Sequence, residues 1–518
     1  MIYDIIFWIA YIALWAAVVR YDVHMFQHNS YRVERYARWW RGGNKHLRSI
    51  VIAIFALLCI VTFQMDWLPK AVVMFIIAWR EFRTVYKKPL VYTMRVWRLL
   101  TTATLLTAAA VGAAIYFLPA YAPAIALALL VLPAVMLAAN FVNKPLEAAI
   151  SRWYYNDAKR ILRSMPDLKI IGVTGSFGKT STKHYLYRIL SEKYNVLMTP
   201  GNFNTTLGVI RTVREHLKPH HQVFIVEMGA KQVGDIKEIC DLVHPTIGIV
   251  TAVGEMHLET FHSVENVRRT KFELIDALPE SGLAVVNMDS ELIASKPIDH
   301  KSVLVGYGVK YHDADYRAAN IRYTPSETSF DVDYRGELRE GYTTHLAGRG
   351  NILNLLAAVA VADHLGVSEQ LQKRAMRQIE QIEHRLSIKR TAGGVTIIDD
   401  AYNSNPTGAK MALEVLHHFS RPADARRIVV TPGFVELGAR QAELNRELGR
   451  DIAAACDIAV VVNLTNREAT SAGLKDAEFP EGQIILADSF AEASATLAQQ
   501  LRVGDVILYE NDLPDSFK

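Results

Sequence analysis

Apolar positions are spread unevenly along this chain. Five long apolar runs, at about residues 2–19, 49–64, 67–79, 99–118 and 122–141, all precede residue 143. A helix needs about 20 residues to cross ~30 Å of hydrocarbon, which runs one, four and five satisfy. Run two is slightly short, and run three is short with Pro69 and Lys70 at its start. Charge decides how they thread. Arg20, Arg32, Arg35, Arg38, Arg41, Lys45 and Arg48 follow run one, and Arg80, Arg83, Lys87, Lys88, Arg95 and Arg98 follow run three. Both basic segments face the cytoplasm by the positive-inside rule only if runs two and three both cross. The pattern therefore predicts five crossings, an outside N-terminus, and a cytoplasmic remainder. No basic segment precedes run one and no small-residue cleavage site follows it, which argues against a signal peptide.

Beyond residue 143 the pattern changes. Leu146, Ile150, Trp153, Tyr154, Ala158 and Ile161 recur at helical spacing over 144–165, predicting a helix lying on the bilayer or the next domain. Apolar strands at 168–173, 223–226 and 246–251 then alternate with helical stretches to about 194, at 205–217 and at 233–243. A second alternation runs through strands ending at 399–400, 428–431, 458–463, 484–487 and 506–509, with helices at 441–455 and 490–501. The fold class expected is α/β behind a polytopic α-helical membrane domain, in three parts: 1–143, 144–388 and 389–518.

Composition refines this picture. Of 518 residues 51% are hydrophobic, and the excess lies before residue 143. A net charge of +4 is too small to imply nucleic acid. Cys59, Cys240 and Cys456 are scattered and odd in number, which fits a reducing compartment better than a disulfide framework.

The chemistry starts at residues 174–182, TGSFGKTST. Between a strand and a helix, such a turn points backbone N–H groups of Gly175, Ser176, Gly178 and Ser181 at an anion. Lys179 reaches the outer phosphates of a nucleotide, and the Thr180 hydroxyl can ligate Mg²⁺. The spacing is T-G-x-x-G-K-T, with Val173 where the longer phosphate-loop pattern has its first Gly. Glu227, at the end of the strand 223–226, is placed to bind Mg²⁺ or to cap the following helix. His257, Glu259 and His262 lack the H-E-x-x-H spacing of a zinc site.

TGSFGKTST resembles the ATP loop of the Mur ligases, the amide-forming enzymes that extend peptidoglycan precursors. The resemblance runs from about Lys144 to the C-terminus and is nearest the MurF branch, which adds D-alanyl-D-alanine. It implies a central ATP-binding domain over 144–388 and a Rossmann-like C-terminal domain over 389–518. It further implies Glu227 as a magnesium ligand with Thr180, His257 as a ligand of a second Mg²⁺, and Lys271 as a lysine carbamoylated by CO₂. Lys179, His257 and Lys271 are then the catalytic residues. The segment Asn202-Phe-Asn-Thr-Thr-Leu-Gly208 is similar to one near the peptide substrate, assigning Asn202, Asn204 and Thr205 to substrate; read alone, it is equally a turn capping a helix. Asn351 and Asn354 match the family pattern G-x-H-N-x-x-N, with Gly350 in place of its His. Asn351 is thereby the candidate for adenine, Arg385 for the phosphates and Asp400 for the ribose, while Tyr402, Asn403 and Asn405 shape the substrate turn.

The resemblance implies ATP and Mg²⁺ as cofactors, an acyl phosphate intermediate, and attack by an amino acid or a D-Ala-D-Ala-like dipeptide. Residues near 388–394 are the expected hinge for closing the C-terminal domain. Soluble MurF enzymes carry an N-terminal domain that grips UDP, and here lipid-embedded helices take its place. The acceptor expected is therefore a muropeptide, lipid-linked or otherwise presented at the membrane, at the cytoplasmic face of a bacterial plasma membrane, with lipids as partners. Alternatives are a nucleotide-binding membrane scaffold without catalysis and a polyglutamate-type ligase.

Overall fold

The computed structural model describes all residues except 1, 30, 42–66, 85–88, 132–133, 296, 299, 325, 403 and 513–518. It divides into two compact units, Met1–Trp153 and Tyr154–Lys518.

The first unit is helical, with helices Ile2–His28, Val33–Arg41, Trp67–Phe82, Met94–Phe117, Ala122–Val131 and the start of Ala134–Arg163. Phe7, Ala10, Tyr11 and Leu14 pack on Ala71, Met74, Ala126 and Leu127. Val19, Val23 and Phe26 pack on Tyr36, Val96, Leu99 and Met136. Arg98 meets both oxygens of Glu147, at 2.6 and 3.0 Å.

Two helical segments among the described residues, Ile5–His28 and Met94–Phe117, are long and apolar enough to cross a membrane. Two of the five expected crossings thus have a matching helix among the described residues. Trp67–Phe82 has 16 residues, about 24 Å at 1.5 Å per residue, short of the hydrocarbon thickness. Run five covers Ala122–Val131 and the start of Ala134–Arg163, which flank the undescribed residues 132–133, and Ala134–Arg163 also carries the helix expected separately over 144–165. Run two lies outside the described residues.

The second unit holds two sheets. The first has strands β1 (Lys169–Thr174), β2 (Val196–Met198), β3 (Val223–Glu227), β4 (Ile247–Val250), β5 (Leu283–Asn287), β6 (Val303–Gly308), β7 (Tyr316–Tyr323), β8 (Thr328–Tyr334) and β9 (Glu337–Thr344). Its order is β2-β3-β1-β4-β5-β6-β7-β8-β9. Pairing is parallel as far as β7, then antiparallel through β8 and β9. All five β3 residues are buried, because helices cover both faces and strand alternation feeds two cores. Val223 and Ile225 join the helices Lys179–Leu190 and Arg349–His364. Phe224 and Val226 join Ala158, Leu162, Val209 and Ile239 on the other side.

The second sheet has β10 (Ser387–Arg390), β11 (Thr396–Asp400), β12 (Arg427–Thr431), β13 (Ile458–Val462), β14 (Ile484–Ala487) and β15 (Val506–Glu510), in the order β10-β11-β15-β12-β13-β14. The alternation expected here is present, with β10 added antiparallel at one edge. That strand corrects the hinge expected near 388–394. Ser387 to Arg390 pair with Thr396 to Asp399, and Thr391 N donates to Val395 O at 2.8 Å. A hairpin locked into a sheet ladder does not flex, so the connection between the two sheets is the chain just before it, residues 378–386. Val250, Ala284 and Val286 of the first sheet share one hydrophobic cluster with Ile398, Val429 and Leu508 of the second.

Candidate nucleotide and metal site

The turn between β1 and the helix Lys179–Leu190 is built for close backbone approach. Gly178 has φ +79°, and a Cβ there would stand 2.6 Å from Asn354 Oδ1. A Cβ on Gly175 would meet Thr251 Oγ1 at 2.1 Å. The Ser176 hydroxyl donates to Gly254 O at 3.1 Å and accepts from Gly254 N at 3.0 Å, so it braces the turn against the chain after β4. Lys179 Nζ donates to Gly175 O at 2.8 Å and Ser176 O at 3.4 Å, curling into the loop it would leave to meet phosphate. Burial pulls its pKa down to about 8, opposed by Glu227 and aided by Arg385.

Glu227 ends β3 directly beside the loop, with Val173 opposite it in the ladder. It is 2% exposed. Asn204 Nδ2 donates to its Oε1 at 3.0 Å, and Lys183 Nζ lies 3.0 Å from Oε2. Lys183 directs its hydrogen bond to Gly201 O, at 2.7 Å, and Oε2 accepts no well-formed hydrogen bond of its own. Burial pushes the Glu227 pKa up. Lys183, Lys179 and Asn204 outweigh that and hold it below the usual carboxylate range.

His257 lies on the chain after β4 with φ +52°, and its Nδ1 meets Glu436 Oε2 from the second sheet's side. Burial lowers its pKa, against the pull of Glu436. His262 caps the opposite end of the four-residue helix Leu258–Phe261. No group of three or more His, Cys, Asp or Glu side chains poised for a metal occurs among the described residues. Lys271 is 3% exposed on the helix Val264–Asp276. Burial lowers its pKa to about 7, Lys179 adding to the effect and Asp235 and Glu273 opposing it.

From the connection just before β10, Arg385 Nη2 donates to Thr180 Oγ1 at 3.4 Å, and its guanidinium lies 4.1 Å from the Tyr402 ring centre. Tyr402 OH accepts from Asn202 Nδ2 at 2.9 Å. Four expected site residues thus form one chain of contacts across the cleft. Asp400 accepts from Leu386 N at 3.0 Å. Burial raises its pKa to about 6, offset by Arg385 and Leu386 N and reinforced by Asp399.

Other expected site residues have structural partners. Asn351 accepts from Tyr185 OH at 2.7 Å and donates to Ala347 O at 2.8 Å. Asn354 accepts from Thr182 beneath Gly178. Thr205 caps the helix Thr206–Glu215 through Gly208 N, the capping role open to it from sequence, and Asn405 caps Pro406–His418 through Gly408 N. Ser181 is buried in the helix. Asn403 lies outside the described residues. A Cβ on Gly350 would touch Met411 Sδ at 3.3 Å.

Sequence reasoning passed over Lys183, Glu436 and Glu510. Lys183 follows Lys179 by one helical turn on the same face, a signal that was available. Glu510, paired with Asp400 across β11 and β15, accepts from Thr431 Oγ1 at 2.9 Å and from Ser404 Oγ. Burial raises its pKa to about 8, Asp400 adding to the effect and Thr431 opposing it.

Residues 173–362 match the Mur ligase middle domain, and residues 384–509 match the Mur ligase glutamate ligase domain. A UDP-N-acetylmuramoyl-tripeptide–D-alanyl-D-alanine ligase of Mycobacterium bovis is 31% identical over 366 residues, covering 66% of this chain and 70% of that protein. The Bacillus subtilis enzyme of the same name is 28% identical over 281 residues, 54% of this chain. The chain spans 59% of the length of that relative. Among solved structures, MurF of Acinetobacter baumannii aligns at TM-score 0.60 and 26% identity over 69% of this chain and 76% of that one. MurF of Thermotoga maritima, in complex with ADP, aligns at TM-score 0.60 and 27% identity over 70% and 80%.

Proposed function

This chain belongs to the Mur ligase family, the ATP-dependent ligases, and from that premise we propose that it is a membrane-attached, ADP-forming ligase of MurF type. In this reading it joins an amine, D-Ala-D-Ala or a related D-amino acid, to the carboxylate of a muropeptide acceptor carried on lipid. One observation carries the reading. Arg385, on the connection leading into the second sheet, reaches Thr180 of the phosphate loop, which sets a cation beside the hydroxyl and backbone that would meet the phosphates.

Within that cleft Lys179 leaves the carbonyls of its own loop for the β/γ-phosphates, and Arg385 neutralises charge gathering on the γ-phosphoryl group. The backbone of Gly175, Ser176, Gly178 and Ser181 cradles the phosphates, and Asp400 faces the ribose. Asn351 acts on the base indirectly, by fixing the helix Arg349–His364. The acceptor carboxylate attacks the γ-phosphorus and ADP departs. The amine then attacks the acyl carbon, losing a proton as phosphate leaves and the amide forms. Asn202, Asn204 and Tyr402 hold the peptide end, with Thr205, Asn403 and Asn405 shaping the loops around it.

The donor set suits Mg²⁺: a buried carboxylate oxygen without a directed hydrogen bond, a hydroxyl on the phosphate loop, and an imidazole. Thr180 and Glu227 would hold it, with His257 as a ligand of a second ion. Bound there, it would screen the phosphate charge and polarise the γ-phosphoryl group. Lys271 is buried, has a depressed pKa, and is therefore substantially neutral near pH 7, the form that adds CO₂ to give a carbamate.

The same reading divides the chain into a membrane domain over 1–143, an ATP-binding domain over 144–388 and a C-terminal domain over 389–518, with the catalytic part on the cytoplasmic side of a bacterial plasma membrane. Its support is the two long apolar helices, together with large apolar side chains left exposed on the first unit, among them Ile12, Ile76, Trp79, Leu105 and Phe117.

The test supplies the purified full-length chain with ATP, D-Ala-D-Ala or a panel of D-amino acids, and UDP-MurNAc-tripeptide or its undecaprenyl-linked form. Products are identified by mass spectrometry. Amide formation favouring the lipid-linked acceptor is expected. Faster turnover of the soluble acceptor removes the lipid-linked reading, and no ATP-dependent product from either removes the ligase.

A further inference from the structure

Resting on the reading of His257 as a metal ligand, we propose that Glu436 is a positioning residue that sets the orientation of the His257 ring, so that this ligand is completed by the C-terminal half of the molecule. Glu436 Oε2 meets Nδ1 of the imidazole. A carboxylate can only accept, so this contact selects the tautomer with the proton on Nδ1 and leaves the Nε2 lone pair as the ring's one ligand atom. Carboxylate, imidazole and metal in series is the usual way a protein fixes a histidine ligand, and removing the carboxylate commonly weakens metal binding about 10- to 100-fold.

Glu436 is well braced for this task. It follows β12 on a loop whose shape is held by buried amides. Asn445 Oδ1 accepts from Phe434 N at 2.8 Å, and Asn466 Nδ2 donates to Pro432 O and Phe434 O. Asn511 Nδ2 donates to Gly433 O at 2.6 Å. The Glu436 carbonyl accepts from Glu259 N at 3.2 Å, two residues past the histidine. Arg440 Nη1 meets Glu255 Oε1 at 2.6 Å, two residues before it. The histidine is thus bracketed by ties to the same loop.

Backbone conformation points the same way. His257 has φ +52° and Glu436 φ +62°, both left-handed and neither glycine. Such conformations cost of order 1–3 kcal/mol each and persist where surrounding structure imposes them, often at functional sites. Here each strained residue presents its side chain to the other. Because Glu436 and His257 belong to different α/β layers, the ring takes this orientation only when the layers are apposed, which couples closure over ATP to completion of the metal site.

The experiment counts Mn²⁺ bound to the full-length chain in detergent with a non-hydrolysable ATP analogue, by electron paramagnetic resonance. Wild type, H257A, E436A and E436Q are compared, with analogue affinity and Tm measured alongside. Two Mn²⁺ are expected in wild type, one of them lost or greatly weakened in H257A. E436A should weaken the same ion about 10- to 100-fold, and E436Q, whose amide oxygen still accepts from Nδ1–H, should recover part of it. Should E436A lower Tm, E436Q decides the matter. Wild-type Mn²⁺ binding in E436A together with loss in H257A overturns the positioning role while leaving the metal reading intact. Retention of both ions in H257A removes the metal reading and this proposal with it.

Discussion

Lys183 Nζ stands 3.0 Å from Glu227 Oε2, and neither side chain is more than 2% exposed. This ion pair joins the helix after the phosphate loop to the strand end proposed to hold magnesium, and its third partner, Gly201 O, belongs to the proposed substrate loop. Breaking a buried pair by removing one member costs about 3–5 kcal/mol, because the other charge stays behind uncompensated. K183M is therefore expected to lower Tm markedly. The double variant K183M/E227Q should regain most of that loss while remaining inactive, since the carboxylate is gone. Thermal melts of the four corners of this cycle check it, and additive losses would show the two residues to be independent.

Lys271 gives a pH dependence with an unusual sign. Its pKa falls from 10.5 to about 7 on folding, chiefly through burial. Between those pH values the unfolded chain binds more protons, so this group makes stability rise as pH increases from about 7 to about 10.5. In CO₂-free buffer K271M should melt higher than wild type at pH 7, with the difference shrinking toward pH 10.5. Activity should be lost throughout. A K271M that melts lower at pH 7 contradicts the argument.

Arg385 and Tyr402 separate charge from scaffolding. Replacing Arg385 with Ala removes a donor aimed at the phosphates and is expected to lower kcat by about 10²–10³. Y402F removes only the hydrogen bond from Asn202, about 1 kcal/mol, and should reduce kcat less than tenfold. Steady-state kinetics with ATP varied distinguishes them. Equal losses would mean that Arg385 acts through the ring it stacks on.

Gly178 is a backbone test. G178A must hold a left-handed φ and drive its Cβ toward Asn354, whereas G201A, also left-handed at φ +47°, has open space around it. Nucleotide affinity by calorimetry should fall in G178A and stay near wild type in G201A.

Attachment to the membrane has a direct readout. Full-length protein expressed in bacteria should stay in the membrane fraction through an alkaline carbonate wash, and its C-terminal half should resist protease added to intact spheroplasts. Release by carbonate argues against spanning helices, and cleavage in intact spheroplasts argues against the cytoplasmic placement.

The sequence by itself determined the local units. Strand, glycine turn and helix around Lys179, the carboxylate at the end of β3, and the alternation of the second sheet follow from periodicities of two and 3.6 and from where glycine is tolerated. None of these needs a distant partner. The membrane half was less legible, because apolar length reports a candidate span and not where a helix stops; Ala134–Arg163 runs from run five straight through the helix expected separately over 144–165.

Tertiary structure decided which side chains meet. Spacing puts Lys183 on the same helix face as Lys179, but only the packing of β3 against that helix shows it buried beside Glu227. Asn351 is met by Tyr185, 166 residues earlier in the chain, which only packing of the two helices brings about. Glu436 lies 179 residues from His257 and is brought to it by the second sheet. Such pairings depend on how the two α/β layers dock. No local periodicity encodes that, because docking is set by surfaces assembled from residues far apart in the chain.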